Sequence, residues 1–141
     1  ILGGFDESIH ISEVDHVAEG CHPPLPEFPI SQASQEDIAI ANILVPFIED
    51  GATLQLGIGS MPNVVVGILA QSDVKDLGMH TELCGDAYYE LFKAGKLTNR
   101  YKTFRPGKGV TGIVFGSREL YDWVDCNPGV VIEPLEYVNA A

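Results

Sequence analysis

Apolar and polar residues alternate in some stretches of this chain and recur at helical spacing in others, and the two patterns take turns. Thr53-Leu-Gln-Leu-Gly57 alternates as a strand. It breaks at Gly57-Ile58-Gly59 into an apolar segment behind Pro62, predicted to be helical from about Asn63 to Ala70. Upstream, Ile38, Ala41, Leu44, Val45 and Ile48 recur at helical spacing. Ser34 is suited to cap that helix, with Glu36 and Asp37 in its first turn, Pro46 bending its end and Asp50-Gly51 closing it. Residues 77–84 read as a second strand, and Asp86 as the cap of a third helix that carries Tyr89, Leu91 and Phe92 and stops at Gly95. A buried-type strand over 109–116 follows, then a helix capped by Ser117 and ended by Asn127-Pro128-Gly129. Val130–Ile132 is the final strand, with Leu135–Val138 continuing beyond a bend. This βαβαβαβ order with short connections implies an α/β fold, a mostly parallel open sheet flanked by helices.

The first third is less regular. Ile9-His-Ile11-Ser-Glu-Val14 alternates as a short strand. After it, Pro23, Pro24, Pro26 and Pro29 enforce an extended course that no helix interior tolerates. The segment is a covering strap or linker, or alternatively a proline-rich docking ligand, with Leu25 and Phe28 available to pack. Residues 1–33 are thus set apart from an α/β body over 34–141.

Charge narrows the partners. The 141 residues carry a net charge of −12, which argues against nucleic acid or an anionic membrane. Residues 1–74 contain no Lys or Arg, whereas Lys93, Lys96, Arg100, Lys102, Arg105 and Lys108 cluster in one short segment. That cluster reads either as a solvated helix end and loop or as a patch for a phosphorylated ligand or acidic partner. No apolar run is long enough to span a bilayer. Cys21, Cys84 and Cys126 are odd in number and widely spaced, which suits a reducing compartment better than a disulfide framework.

Two stretches carry candidate chemistry. A strand that breaks at glycines into a helix turns free backbone N–H groups toward one point, where an anion or oxyanion is favoured. The turn at 57–59 lacks the further glycine of a dinucleotide fingerprint and the Gly-Lys-Ser/Thr of a phosphate loop, so an ordinary tight turn stays open as the alternative. In the strand over 77–84, His80, Glu82 and Cys84 alternate onto one face. Three readings stand: a metal site, a charged strand end, or a carboxylate at the ligand-binding edge of a parallel sheet, where it could face the glycine turn and serve acyl chemistry.

The segments Leu54-Gln-Leu-Gly57-Ile-Gly59, Leu77-Gly-Met-His80-Thr-Glu82, Lys93–Asn99, Tyr121–Asp125 with Asn127-Pro128, and Pro134-Leu-Glu-Tyr-Val-Asn139 together resemble the acetyl-CoA hydrolase/CoA-transferase family. The nearest likeness is to the 4-hydroxybutyrate and butyrate:acetate CoA-transferases, and it extends over nearly the whole chain. The resemblance implies an enzyme that moves CoA between a short-chain acyl-CoA and a free carboxylate, with acyl-CoA hydrolysis or a non-catalytic CoA- or partner-binding half-domain as alternatives. It implies Glu82 as nucleophile and the Ile58 N–H as an oxyanion donor. Gly57, Ile58, Gly59, Ser60 and Met61 would lie against CoA, with Gln55, Asn63, His80 and Asp86 near the site. It further implies a cytoplasmic two-domain protein, commonly a homo-oligomer, with CoA as substrate and no tightly bound cofactor or metal. Residues 1–33 correspond to the inter-domain segment and 34–141 to the first part of the C-terminal domain, so the chain is expected to be part of a longer one. Ala87-Tyr88-Tyr89 departs from the glycine that several relatives carry there, which is expected to reshape the acyl pocket.

Overall fold

The computed structural model describes residues 2–4, 7–29 and 32–140. Five parallel strands form one sheet: β1 (Gly3–Gly4), β2 (Thr53–Leu54), β3 (Gly78–Cys84), β4 (Gly109–Val114) and β5 (Val130–Ile132), in the order β1-β5-β4-β3-β2. The helices are α1 (Gln35–Leu44), α2 (Ser60–Gln71), α3 (Asp86–Lys93), α4 (Arg118–Val124) and α5 (Leu135–Val138). The predicted alternation of strands and helices is therefore present. Contacts run α1 to α2, α2 to α3 and α3 to α4, so these helices form one layer, while α5 packs on β3 and β4. Among the described residues no helix is long and apolar enough to cross a membrane.

The core lies where this layer meets the sheet. Val66, Leu69, Leu77, Met79, Tyr88, Leu91 and Leu120 are all but inaccessible to solvent. Each such side chain contributes about 1.5–3 kcal/mol when withdrawn from water.

Local chemistry explains the helix ends. Ser34 and Asp37 cap α1 reciprocally: the Asp37 N–H donates to Ser34 Oγ at 3.1 Å, and the Ser34 N–H to Asp37 Oδ2 at 2.9 Å. The α-helix stops at Leu44 and tightens into a 3-10 turn over Val45–Phe47, because Pro46 has no N–H to continue the ladder. Its apolar face is only partly used. Ala41 is buried, but Ile38 and Leu44 remain 44% and 42% exposed. Gly95, at φ +71, ends the segment after α3 as the sequence suggests.

Several expectations are corrected. The alternating stretch 9–14 is not a strand: it forms a 3-10 turn at Ile11–Glu13, and Ile9 and Ile11 are exposed, with no strand paired to them among the described residues. α2 begins at Ser60 rather than near Asn63, since Pro62 falls in the first turn, where its missing N–H goes unused. Asp86 is the first residue of α3, whose cap is Gly85, and its carboxylate bonds Ser117 instead. Leu135–Val138 is a helical turn and not extended. Leu135 sits over Gly112, where an added Cβ would collide with Leu135 Cδ2. β1 was not foreseen, because Gly3-Gly4 carries no hydrophobic pattern, yet Gly4 lies directly opposite Ile132.

The proline-rich segment lies against the sheet's end as a strap. The Tyr121 hydroxyl donates to the Pro26 carbonyl at 2.8 Å, the Phe28 N–H donates to the Gly116 carbonyl at 3.1 Å, and the Phe28 ring meets Phe115 edge-on at 5.4 Å. Leu25 stays 64% exposed.

Candidate active site

Glu82 is the fifth residue of β3 and is exposed near the strand's C-terminal end, the edge where parallel sheets bind ligands. Its Oε2 accepts from Asn139 Nδ2 at 3.2 Å, just beyond α5. Gly112 of β4 lies beside it and leaves room for the Leu135 side chain, which an added Cβ would strike.

The glycine turn runs alongside. Thr81 Oγ1 donates to the Leu56 carbonyl at 3.3 Å, which ties the residue next to Glu82 to the residue before Gly57. Ile58 packs toward Gly85, with its Cγ2 3.7 Å from the position of an added Cβ. Gly59 takes φ +127 and ψ −175, a conformation essentially restricted to glycine. Gly57, Ile58, Gly59 and Asn63 line one slot together with Asp86, beneath Phe28. Its volume of about 20 Å³ suits a single water-sized group. Gly57 and Ile58 are exposed, clear of the core.

The remaining residues singled out from the sequence are placed as follows. Ser60 opens α2 near the Asp37 carboxylate, which it helps to hold below the ordinary value, and Met61 packs partly against the core. Gln55 is exposed just past β2. Asp86 accepts from the Ser117 N–H at 3.1 Å and from its hydroxyl at 2.5 Å, which ties the start of α3 to the start of α4. The imidazole Nε2 of His80 faces the Val138 carbonyl at 3.0 Å. Cys84 is completely buried, and burial, helped by the nearby Asp86 charge, pushes its thiol up to about 12. It is therefore not poised as a metal ligand beside His80 and Glu82. Among the described residues no three His, Cys, Asp or Glu side chains are grouped to hold a metal.

The basic cluster is not a free anion patch. Lys93 pairs with Glu90 at 2.7 Å, Arg100 with Asp76 at 3.3 Å and Arg105 with Glu133 at 2.6 Å. Lys96 and Lys108 donate to the carbonyls of Ser72 and Pro128. Lys102 is buried, donating to the carbonyls of Met79 and Lys108. All six are engaged within the chain, three with carboxylates and three with backbone carbonyls that need donors. Lys93, in the last turn of α3, and the exposed Arg100 and Arg105 in the loop beyond it match the reading of a solvated helix end and loop.

Sequence reasoning did not single out Asn139 or Tyr88 as site residues. Asn139 lies 57 positions from Glu82, and only the fold brings the two together. The one available signal was its place at the end of the Pro134–Asn139 motif.

No family model matches the chain. Comparison with curated proteins and solved structures nevertheless defines its class. It is 42% identical over 139 residues to the butyryl-CoA:acetate CoA-transferase of Anaerostipes caccae, covering 98% of this chain and 31% of that protein. It is also 42% identical over 134 residues to the 4-hydroxybutyrate coenzyme A transferase of Clostridium kluyveri, covering 95% of this chain and 30% of the relative. Among solved structures, RipA from Yersinia pestis superposes with a TM-score of 0.89 at 38% identity, over 98% of this chain and 31% of that one. Acetyl-CoA hydrolases are more distant, that of Neurospora crassa being 36% identical over 55% of this chain. The chain is thus related over nearly its whole length to the CoA-transferases, and it spans about a third of the length of the curated relatives it matches.

Proposed function

We propose that the protein to which this chain contributes transfers CoA between a short-chain acyl-CoA, such as butyryl- or 4-hydroxybutyryl-CoA, and acetate, with Glu82 as nucleophile. The observation that carries this reading is the exposed Glu82 carboxylate at the ligand-binding edge of β3, held by Asn139 and flanked by the glycine turn. The relationship to CoA-transferases supports it.

In this mechanism the Glu82 carboxylate attacks the thioester carbonyl, the carbon–sulfur bond breaks, and CoA thiolate leaves behind an acyl–glutamyl anhydride. The developing oxyanion takes hydrogen bonds from backbone donors, the Ile58 N–H among them. The thiolate then attacks the glutamyl carbonyl, releasing the first carboxylate and leaving a glutamyl-CoA thioester. Acetate reverses the two steps, so the kinetics are ping-pong. Residues 57–61, with Gln55, Asn63, His80 and Asp86 around them, border the CoA-binding edge. No metal or redox group enters these steps. In the same reading, residues 1–33 join two domains, 34–141 open the C-terminal one, and the enzyme is a cytoplasmic homo-oligomer.

The test uses the full-length polypeptide. Incubation with butyryl-CoA followed by borohydride should reduce a thioester at Glu82, visible by peptide mass, and Glu82→Ala should abolish both adduct and turnover. An adduct on another residue, or activity in Glu82→Ala, refutes the assignment. CoA release that proceeds at the same rate without acetate identifies a hydrolase instead. Binding of CoA with no adduct at all identifies a non-catalytic domain.

A further inference from the structure

His80 and Glu82 lie two residues apart on β3, and the end of α5 reaches both. The Val138 carbonyl is 3.0 Å from His80 Nε2, and the next residue, Asn139, donates its side-chain amide to Glu82. A carbonyl can only accept, so Nε2 carries the proton. Two consecutive residues, the last of α5 and the one after it, thus hold on to two positions of one strand.

α5 needs such anchors. It is four residues long, too short to be stable by itself, and its last carbonyls have no helical partner. Val138 O is one of those carbonyls, and His80 satisfies it. The imidazole is in turn held in place. Its ring meets Phe104 edge-on at 6.0 Å, and Phe104 packs at 4.7 Å on Tyr137, the residue before Val138. At the other end of α5, Leu135 rests over Gly112, and Glu133 is buried against Arg105.

We propose that His80 is a positioning residue: its Nε2–H fixes the C-terminal end of α5 and thereby keeps the Asn139 amide on the Glu82 carboxylate. This rests on Glu82 being the nucleophile. Glu82 is exposed on a flexible side chain, and a fixed donor selects the conformer that faces the thioester. Because Nε2 is already committed to Val138, His80 acts through α5 and Asn139 and not as a contact to CoA.

The test compares four variants of the full-length enzyme: His80→Phe, His80→Gln, Asn139→Ala, and the double variant His80→Phe/Asn139→Ala. Phe keeps an aromatic ring against Phe104 and removes the donor, whereas Gln retains an N–H within reach. The readouts are the single-turnover rate of Glu82 thioester formation, KM for butyryl-CoA, and melting temperature. Misplacing a reacting group by 1 Å can cost about 10²-fold, so His80→Phe is expected to slow thioester formation about tenfold or more, with KM within about twofold. His80→Gln should recover most of the rate. The double variant should be no slower than Asn139→Ala alone, because both changes break the same chain of contacts. Rate losses that multiply in the double variant overturn the proposal. So does a loss that tracks the melting temperature and is not restored by Gln. If the wild-type enzyme forms no thioester at Glu82, the nucleophile assignment itself has failed, and that arm reports it before any His80 variant is compared.

Discussion

The Tyr88 hydroxyl accepts from the Leu56 N–H and donates to the Leu54 carbonyl, both at 2.9 Å. A side chain of α3 thereby bridges the end of β2 and the residue before the glycine turn, on the side of β2 that faces β3. Tyr88 is fully buried and supports the loop from behind. Burial pushes its phenol above the ordinary tyrosine value, so it stays a neutral donor. Tyr88→Phe takes away the partner of the Leu56 N–H and should cost about 1–3 kcal/mol. Denaturant midpoints measure this. Tyr89→Phe, which keeps the ring packed on Trp123, is the comparison and should move the midpoint far less.

Asn139 is exposed, so its loss should be felt in chemistry and not in folding. Asn139→Ala should leave stability within about 0.5 kcal/mol of wild type. It should lower turnover about tenfold or more, on the scale by which misplaced catalytic groups lose rate. A melting curve together with kcat tests both halves. Unchanged kcat would mean that the contact to Glu82 has no part in catalysis.

The two glycines of the turn should separate. Gly59 sits at φ +127, so Gly59→Ala must distort the loop even though an added Cβ would meet nothing within 4 Å. Such backbone strain costs about 1–3 kcal/mol. Gly57 has the same open surroundings and is not among the glycines at positive φ, so Gly57→Ala should be mild for stability. Equal losses of stability in the two variants would contradict this account.

Lys102 predicts a pH dependence. Burial lowers its ammonium to about 8 from the ordinary 10.5. Below about pH 8 both folded and unfolded chains are protonated there, and the folded state bears the full desolvation cost. Between about 8 and 10.5 the unfolded chain binds the additional proton, so this group makes the protein more stable as pH rises. Melting temperatures of wild type and Lys102→Met across that window test it. The difference, wild type minus variant, should grow with pH, whereas a flat difference would refute the assignment.

Local pattern was enough for much of this molecule. Periodicity located β3, β4 and β5 and the helices between them. Ser34, Ser117 and Gly95 announced helix ends, because caps act within one turn and need no distant partner. The sequence also singled out Glu82 and Gly57–Gly59, since glycine before a helix and a carboxylate in a strand are visible locally. Tertiary structure decided the rest. The alternation at 9–14 found no strand to pair with among the described residues, while Gly3-Gly4, without any pattern, found β5. The basic cluster could be read as an anion site because sequence reports charge and not the carboxylates and carbonyls that it meets. Tyr88 on Leu56 and Asn139 on Glu82 join residues 32 and 57 positions apart. Which donors meet which acceptors at such distances depends on how the helices pack on the sheet, and no local propensity encodes it.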